Sequence, residues 1–516
     1  MWSWLGPVLA ASAALVWVVL LFRRDLLGSV LRWLTLATVV AVATGGGLLW
    51  LLGWPSLPPA ERFTTADLLE LLKIALAVVA GLGGVVLLAA NLRRQRVTEA
   101  EHELAKARDD REREHSYNER FGAAAEQLAH ESPAVKLAGL YAMAGLADVW
   151  ESNRQVCVDV VCGYLRSLGS RPDGGEGQVW DAAMTAIRRK LRADGEWPNV
   201  SIDLSGVHFV DADFTGLATT GDVTLDGATF TGRRTSFEDC RFTGGFSVTE
   251  ARFDSEFTTF ESAVLGGGER ATRANLEDVV FGGQRLSFDF ARLASGTSFA
   301  YTRFASAFVS FRATAFTGEV SFEGTSFSPI YTSFHLARWE DGRTRFAEAE
   351  FSGEKLEFTE TTVQNADLTF TDCLFSGVHV NFEDTLLRSR SLKFLQCEFE
   401  DCSLDFQLAH EHPTFGTIHL SHLDIERSTL RRCRIDFRRM RGPASARWEH
   451  TLARIRGGLF EEVEIVRDED SVFSLFPWVR LAGVRLVNTV FPDELVRGLR
   501  FVEETVSANR SDGVSG

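Results

Sequence analysis

Phenylalanine recurs in this chain at an interval that neither common secondary element produces. Between Val309 and Phe327 the sequence reads VSFRATAFTGEVSFEGTSF, with Phe311 and Phe316 five apart and Phe322 and Phe327 five apart again. A helix face repeats at three and four residues and a half-buried strand at two. Pairs five apart run from Phe237/Phe242 through Val248/Phe253, Phe260/Leu265, Leu276/Phe281, Phe288/Leu293, Phe299/Phe304, Phe334/Trp339, Phe346/Phe351, Phe358/Val363, Phe370/Phe375 and Phe382/Leu387 to Phe394/Phe399. Leu204/Phe209 and Leu225/Phe230 precede them, and consecutive pairs mostly start eleven or twelve residues apart. A fixed period of this kind means stacked units, each burying its apolar face against the next.

A second column confirms the stack. Two residues before the second member of each pair stands a small residue: Cys240, Ala251, Ala263, Val279, Ala291, Thr302, Thr314, Thr325, Ala337, Ala349, Thr361, Cys373, Thr385 and Cys397. A small side chain beside a large one at constant spacing fills an inward corner without voids or overlap. Phenylalanine has no hydroxyl to satisfy when buried, which accounts for 39 Phe against 5 Tyr.

These residues resemble the pentapeptide-repeat family, whose pattern is a central Leu or Phe every five residues with a small residue two before it. The resemblance spans roughly 201–406 and implies a right-handed, quadrilateral β-helix with the central residues stacked inside. Here one or two residues are inserted after every second unit, which puts the corners out of strict step. The stretch ERFGAAAEQL, AVKLAGLYAM and VDVVCGYLR ahead of the repeats is similar to bacterial members with a membrane anchor. Two pairs per coil predict about seven coils, spaced by the ~4.8 Å of neighbouring strands.

The first hundred residues follow a different rule. Leu5 to Phe22 carries no charge, Trp33 to Trp54 carries none, and Leu71 to Leu92 carries only Lys73. Each matches the ~20 residues that cross a bilayer. A cleaved leader remains the alternative for the first segment, although MWSW lacks a basic start. Arg23, Arg24 and Arg32 flank the first two segments, and Arg93, Arg94 and Arg96 follow the third, whereas the middle loop holds only Arg62. Positive loops stay in the cytoplasm, so the amino terminus is expected outside and the repeats inside. Ala41-x-x-x-Gly45 and Ala77-x-x-x-Gly81 supply small residues through which spans could pack into a homo-oligomer.

The organisation expected is therefore a membrane α-helical anchor over 1–92, a charged helical stalk over 93–120, and a small α-helical module over 121–197. A pentapeptide-repeat β-helix over 198–440 and a capping region over 441–516 complete it. In the module, Ser132 and Pro133 start a helix that should bury Leu137, Leu140, Tyr141 and Ala144. The next helix starts at Ser152 or Asn153 and stops near Gly169, and SRPDGGEGQ reads as a break before an amphipathic stretch from Val179 to Leu191.

No Walker loop, HExxH or nucleophile elbow is present, and no CxxC, so neither catalysis nor a cofactor is assigned. His410, His412, His419 and His422 lie where the ladder breaks, but HxH and HxxH spacings arise easily by chance, and no metal is assigned to them. Cys240, Cys373, Cys397 and Cys433 occupy the small slot and Cys157 and Cys162 an apolar helix, as reduced core cysteines would. The formal net charge of −16 argues against direct nucleic-acid binding. The repeat from Ser201 to Glu426 holds 35 Asp and Glu against 17 Lys and Arg, a balance of −18, and the arginines Arg431, Arg434, Arg438 and Arg439 follow where it stops. Arginine forks there suit carboxylates on a partner or on neighbouring coils. The function expected is a non-enzymatic, bilayer-anchored scaffold whose cytoplasmic repeat binds an unidentified protein. The alternative, drawn from the resemblance, is an acidic rod that imitates DNA toward a topoisomerase. A reporter fused after Gly516 is expected to be active only in the cytoplasm; a signal on the far side of the membrane would overturn the orientation.

Overall fold

Phe311 and Phe316 stand on adjacent walls of a parallel β-solenoid of about nine turns, and Phe322 and Phe327 stand on the next two, so that two pairs complete a turn. The computed structural model describes residues 65–267, 273–294, 296–388, 392–406, 408–409, 423–436, 453–466 and 479–490. Four walls follow one another along the chain. Wall 1 begins at Ile202–Asp203, wall 2 at His208–Val210, wall 4 at Ala218–Thr219, and wall 3, whose first turn is a single bridge at Asp213, has its first strand at Arg234–Ser236. Every strand pairs in parallel with the strand one turn on. Wall 2 forms a twelve-stranded sheet and wall 3 a ten-stranded one. Walls 4 and 1 merge into a nineteen-stranded sheet because Ala315–Ser321 and Arg338–Ala347 run through the corner between them. Gly342 makes that passage possible, since a Cβ there would meet the Gly318 carbonyl oxygen at 1.9 Å.

The rings stack at the rung spacing. On wall 3, Phe288, Phe311, Phe334 and Phe358 succeed one another at 5.0, 4.8 and 4.8 Å between centroids, with planes 3° apart. On wall 2 the column runs Phe230, Phe253, Phe281, Phe304, Phe327, Phe351, Phe375 and Phe399. Rings on the opposite walls 3 and 1 meet edge to face, as Phe288 and Phe299 do at 5.7 Å. Offset stacks and edge contacts each add about 0.5–1.5 kcal/mol beyond burial.

The five-residue spacing has a backbone cause. In Phe237-Glu238-Asp239-Cys240 the Cys240 N–H donates to the Phe237 carbonyl and Asp239 sits at φ 57°, which is the third position of a type II turn. Ala313 and Leu336 repeat this left-handed conformation at the equivalent corners of later turns. Glycine would adopt it at no steric cost, whereas side chains there carry strain that the ladder offsets, the Ala313 N–H donating to His335 O at 2.8 Å. The small residue follows directly and is buried at every turn. Where it is Thr or Cys, its polar atom at most turns bonds a carbonyl of the preceding turn, as Thr314 Oγ1 does with Phe288 O at 2.7 Å, Thr385 Oγ1 with Phe358 O at 2.8 Å and Cys240 Sγ with Phe214 O at 2.9 Å, whereas Thr325 Oγ1 bonds Phe322 O within its own turn and Thr361 Oγ1 bonds Thr385 Oγ1. The extra residues of alternate units fall at the other two corners and leave the register intact.

The ladder runs further than the pairs of rings. Ala453–Arg456, Leu459–Glu461 and Glu464–Val466, then Val479–Ala482 and Arg485–Val487, continue walls 1, 2 and 3 past residue 440 with Ile455, Phe460, Ile465 and Leu486 inward. Aliphatic residues replace most of the rings there, and wall 2 already carries nine strands between His208 and Glu400, more than the seven turns expected over that stretch.

The chain divides into two compact units, residues Met1–Ser116 and Tyr117–Gly516. The first unit is described from Thr65, where helix α1, Thr65–Leu128, begins and runs on through the charged stretch. Among the described residues no helix is long and apolar enough to cross a membrane. The candidate spans Leu5 to Phe22 and Trp33 to Trp54, and many side chains between Leu71 and Leu92, lie outside the described residues.

In the second unit the end of α1 packs with α2, Pro133–Val149, α3, Arg154–Leu168, and α4, Gly174–Lys190. Leu140, Met143, Ala144 and Ala147 form the buried stripe of α2, so the face is turned from the one expected: Leu137 is half-buried and Tyr141 is 59% exposed. Helix α4 starts at Gly174, inside the predicted break, because Gly177 lies where a Cβ would meet the Pro172 carbonyl oxygen at 2.4 Å and the chain turns tightly there. The module covers the first turn of the solenoid: Trp180 meets Phe209 at 6.2 Å, the Gln155 amide bonds Ser201 in both directions, and Ser170 bridges His208. Phe311→Asp or Phe322→Asp, which buries an unpaired carboxylate, is expected to destabilise the coil by about 3–5 kcal/mol in denaturant titration. Arg312→Asp, at an exposed position, should leave the midpoint nearly unchanged, and equal tolerance at all three would mean that the ring columns face solvent.

Candidate functional site

The outward face of a parallel coil presents its side chains in columns one rung apart, and most columns here are polar. Wall 3 is the exception. Three residues before the buried rings Phe260, Phe288, Phe311, Phe334 and Phe358 stand Phe257, Arg285, Phe308, Tyr331 and Lys355, paired in sequence along the ladder. Phe257 is 48% and Phe308 47% exposed. One step on, Ser287, Ser310 and Ser333 make a narrow floor. Beyond it lie Asp289, Arg312 and His335, and then the left-handed corner residues Phe290, Ala313 and Leu336, of which Phe290 is 53% exposed.

Large side chains on either side of small ones leave a groove of about 490 Å3 between them. Its two carboxylates are held within the wall. Asp289 accepts from the Ser310 hydroxyl and from the Arg312 backbone N–H at 3.2 Å. Glu357 accepts from the Tyr331 hydroxyl and from Lys355 Nζ at 3.2 Å, and burial pushes its carboxyl above the usual range. His335 Nδ1 lies 2.9 Å from Thr359 Oγ1. The Arg312 guanidinium stands over the Phe290 ring at 5.8 Å. Among the described residues no carboxylate is within ion-pairing distance of either Arg285 or Arg312. The groove is thus aromatic along one side, cationic at two points and hydroxyl-lined below.

The arginines singled out in the sequence are placed differently. Arg431 and Arg434 end wall 2 and begin wall 3 on one turn, and each reaches a glutamate on the next: Arg431 to Glu461 at 3.3 Å and Arg434 to Glu464 at 3.9 Å. Between them Arg432 reaches back to Glu400 at 2.7 Å and Asp401 at 2.6 Å. All of these side chains are about half exposed, so each pair is worth about 0–1 kcal/mol. Arg438 and Arg439 lie outside the described residues, as do His410, His412, His419 and His422. Among the described residues no group of three or more His, Cys, Asp or Glu is arranged to hold a metal ion.

Sequence reasoning passes over the groove because it follows the inward columns. The outward signal is nevertheless present: an aromatic at a fixed three residues before a buried ring, at Phe257, Phe308 and Tyr331. No protein family, curated relative or solved structure matches the chain.

All seven cysteines are free thiols and buried. Cys402, which the repeat pattern does not place, stacks beneath Cys433, and burial pushes the Cys240 and Cys162 thiols up to about 12. Thiolate is the reactive form. Because all seven are buried, including Cys433, whose thiol the hydrogen bond with Cys402 holds below its usual range, iodoacetamide at mildly alkaline pH is expected to modify none of them in the folded protein and all of them after denaturation, as counted by intact mass. Rapid labelling of the native chain would place at least one thiol outside the core.

Proposed function

We propose that this protein is a non-enzymatic, membrane-attached scaffold whose solenoid binds a cytoplasmic protein. The observation that carries the reading is wall 3, where exposed rings and guanidinium groups that pair with no carboxylate among the described residues are held at rung spacing on a rigid ladder. Exposed apolar patches beside arginine mark protein contacts more often than they mark solvent faces. The likeness to anchored pentapeptide-repeat proteins supports attachment, and so do the apolar sequence runs Leu5 to Phe22, Trp33 to Trp54 and Leu71 to Leu92, the last charged only at Lys73. The cytoplasmic side follows from the arginines that flank them. The basic end at Arg431, Arg434, Arg438 and Arg439 is a second contact, with Glu461 and Glu464 competing for two of its four heads.

The test is photo-cross-linking in cells from the full chain, with the cross-linker placed at outward positions on each wall in turn. A discrete protein adduct is expected from wall 3; cross-links to lipid or none at all from every wall would remove the scaffold reading. Reversing Arg431, Arg434, Arg438 and Arg439 to Glu should lower recovery of the cross-linked partner and make the remainder more salt-sensitive. A lowered melting temperature with unchanged recovery would make that end structural. Inhibition of DNA supercoiling by the protein, lost when outward carboxylates are neutralised, would replace the scaffold with a DNA mimic.

A further inference from the structure

We infer that the wall 3 groove takes a short acidic segment of a partner polypeptide, seating carboxylates on Arg285 and Arg312 and an apolar side chain against Phe257 and Phe308. This deepens the protein-binding reading above and rests on it.

Charge decides the sign of the occupant. Asp289 and Glu357 are already engaged by donors of the wall itself, whereas the guanidinium groups of Arg285 and Arg312 carry donors that no carboxylate of the described chain takes up. A planar fork of this kind binds a carboxylate through two parallel hydrogen bonds. The Arg312 head is also oriented by its place over the Phe290 ring, which reduces the freedom it would lose on binding. Charge also limits the length of the occupant. The surrounding repeat carries a balance of −18 between Ser201 and Glu426, so a long polyanion such as duplex DNA or an extended acidic tail would be repelled on both sides of the groove. Two cationic points separated by one rung suit one or two carboxylates.

Shape selects an extended chain. The backbone N–H and C=O groups of wall 3 bond along the coil axis to the turns above and below, so the occupant cannot be added as a strand to this face. It must be held by side chains, lying over Ser287, Ser310 and Ser333 between the two taller columns. Rings at Phe257 and Phe308, spaced two rungs apart with Arg285 between them, alternate apolar and cationic contact along that path. A segment alternating acidic and apolar residues matches this order.

The experiment measures fluorescence anisotropy of labelled peptides against the full chain in detergent micelles. Three peptides of about twelve residues alternate Phe with Glu, with Gln or with Lys. The Glu peptide is expected to bind at least ~tenfold more tightly than the Gln peptide and to weaken as salt rises from ~0.05 to ~0.5 M. The double variant R285E/R312E should weaken it at least ~tenfold, while Arg241→Glu on wall 4 leaves it within ~twofold. Phe308→Ser should weaken the Glu and Gln peptides together. Equal binding of the Glu and Gln peptides, an equal effect of Arg241→Glu, or no binding of any peptide overturns the proposal. So does a groove filled by a second copy, seen as a dimer that R285E/R312E dissociates, or one that takes only a labelled DNA oligonucleotide. A wall 3 cross-link in cells that survives R285E/R312E leaves the scaffold standing and removes this occupant, and loss of every cross-link removes the scaffold whatever the peptides do.

Discussion

A parallel coil has to present the same cross-section to the turn above and the turn below, and from this requirement most of the molecule follows. The Phe311 ring can lie 4.8 Å from Phe334 with planes 3° apart only if both stand at the same place on successive turns. That fixes the number of residues between corners, and the tight corner then needs a left-handed residue at Ala313 and a small one at Thr314. The small residue is free to be Ala, Thr or Cys because a hydroxyl or thiol at this place finds the carbonyl of the preceding ring residue. Buried polar atoms without such a partner are costly. Trp339 shows the tolerance of the column: its ring stacks on Phe316 at 5.2 Å, but its indole N–H has no partner among the described residues.

The part of this that can be read from residues alone is the part with an aromatic label. Rings five apart over so many units mark a stack of repeated units, and the four walls with two pairs per turn are what the resemblance to pentapeptide-repeat proteins implies. The last turns escape such a reading because Ile425, Leu430, Ile455 and Leu486 fill the ring places with residues common to any core. In the helical module, short stripes admit more than one facing. Periodicity puts Tyr141 in the core, while Met143 and Ala147 occupy the stripe that tertiary packing selects. The groove is legible only in outline, since Phe257, Phe308 and Tyr331 repeat in step with the rings yet nothing local says that they face outward until the turns are assembled. That Arg431 and Arg434 find Glu461 and Glu464 depends on residues thirty places away.

Inward and outward chemistry are almost independent in such a coil, and the two faces of wall 3 show it. Its inner column is nearly invariant phenylalanine, while the outer columns pass from Phe257 through Arg285 to Tyr331 and Lys355 over a few rungs. Binding character can therefore be varied on the outside without touching the interactions that hold the turns together. The acidic balance of the remaining surface, beside Arg285 and Arg312, which pair with no carboxylate among the described residues, sharpens the contrast that a charged segment would sense.

From Phe230 on, length among the described residues varies along only one edge of the coil. From wall 2 to wall 3 the interval between rings is seven residues at every turn from Phe230/Phe237 to Phe399/Phe406. From wall 4 to wall 1 it is six at Phe242/Val248, eleven at Leu265/Leu276 and seven at Trp339/Phe346, and residues 268–272, 389–391, 410–422, 437–452 and 467–478 all fall between the end of wall 3 or wall 4 and the start of wall 1. Whatever is inserted there, the ladder closes again in the same register. The coil thus works as a ruler with one ragged margin: loss or gain of a whole turn would move a group on wall 3 by one graduation, and the graduations themselves would stay as they are.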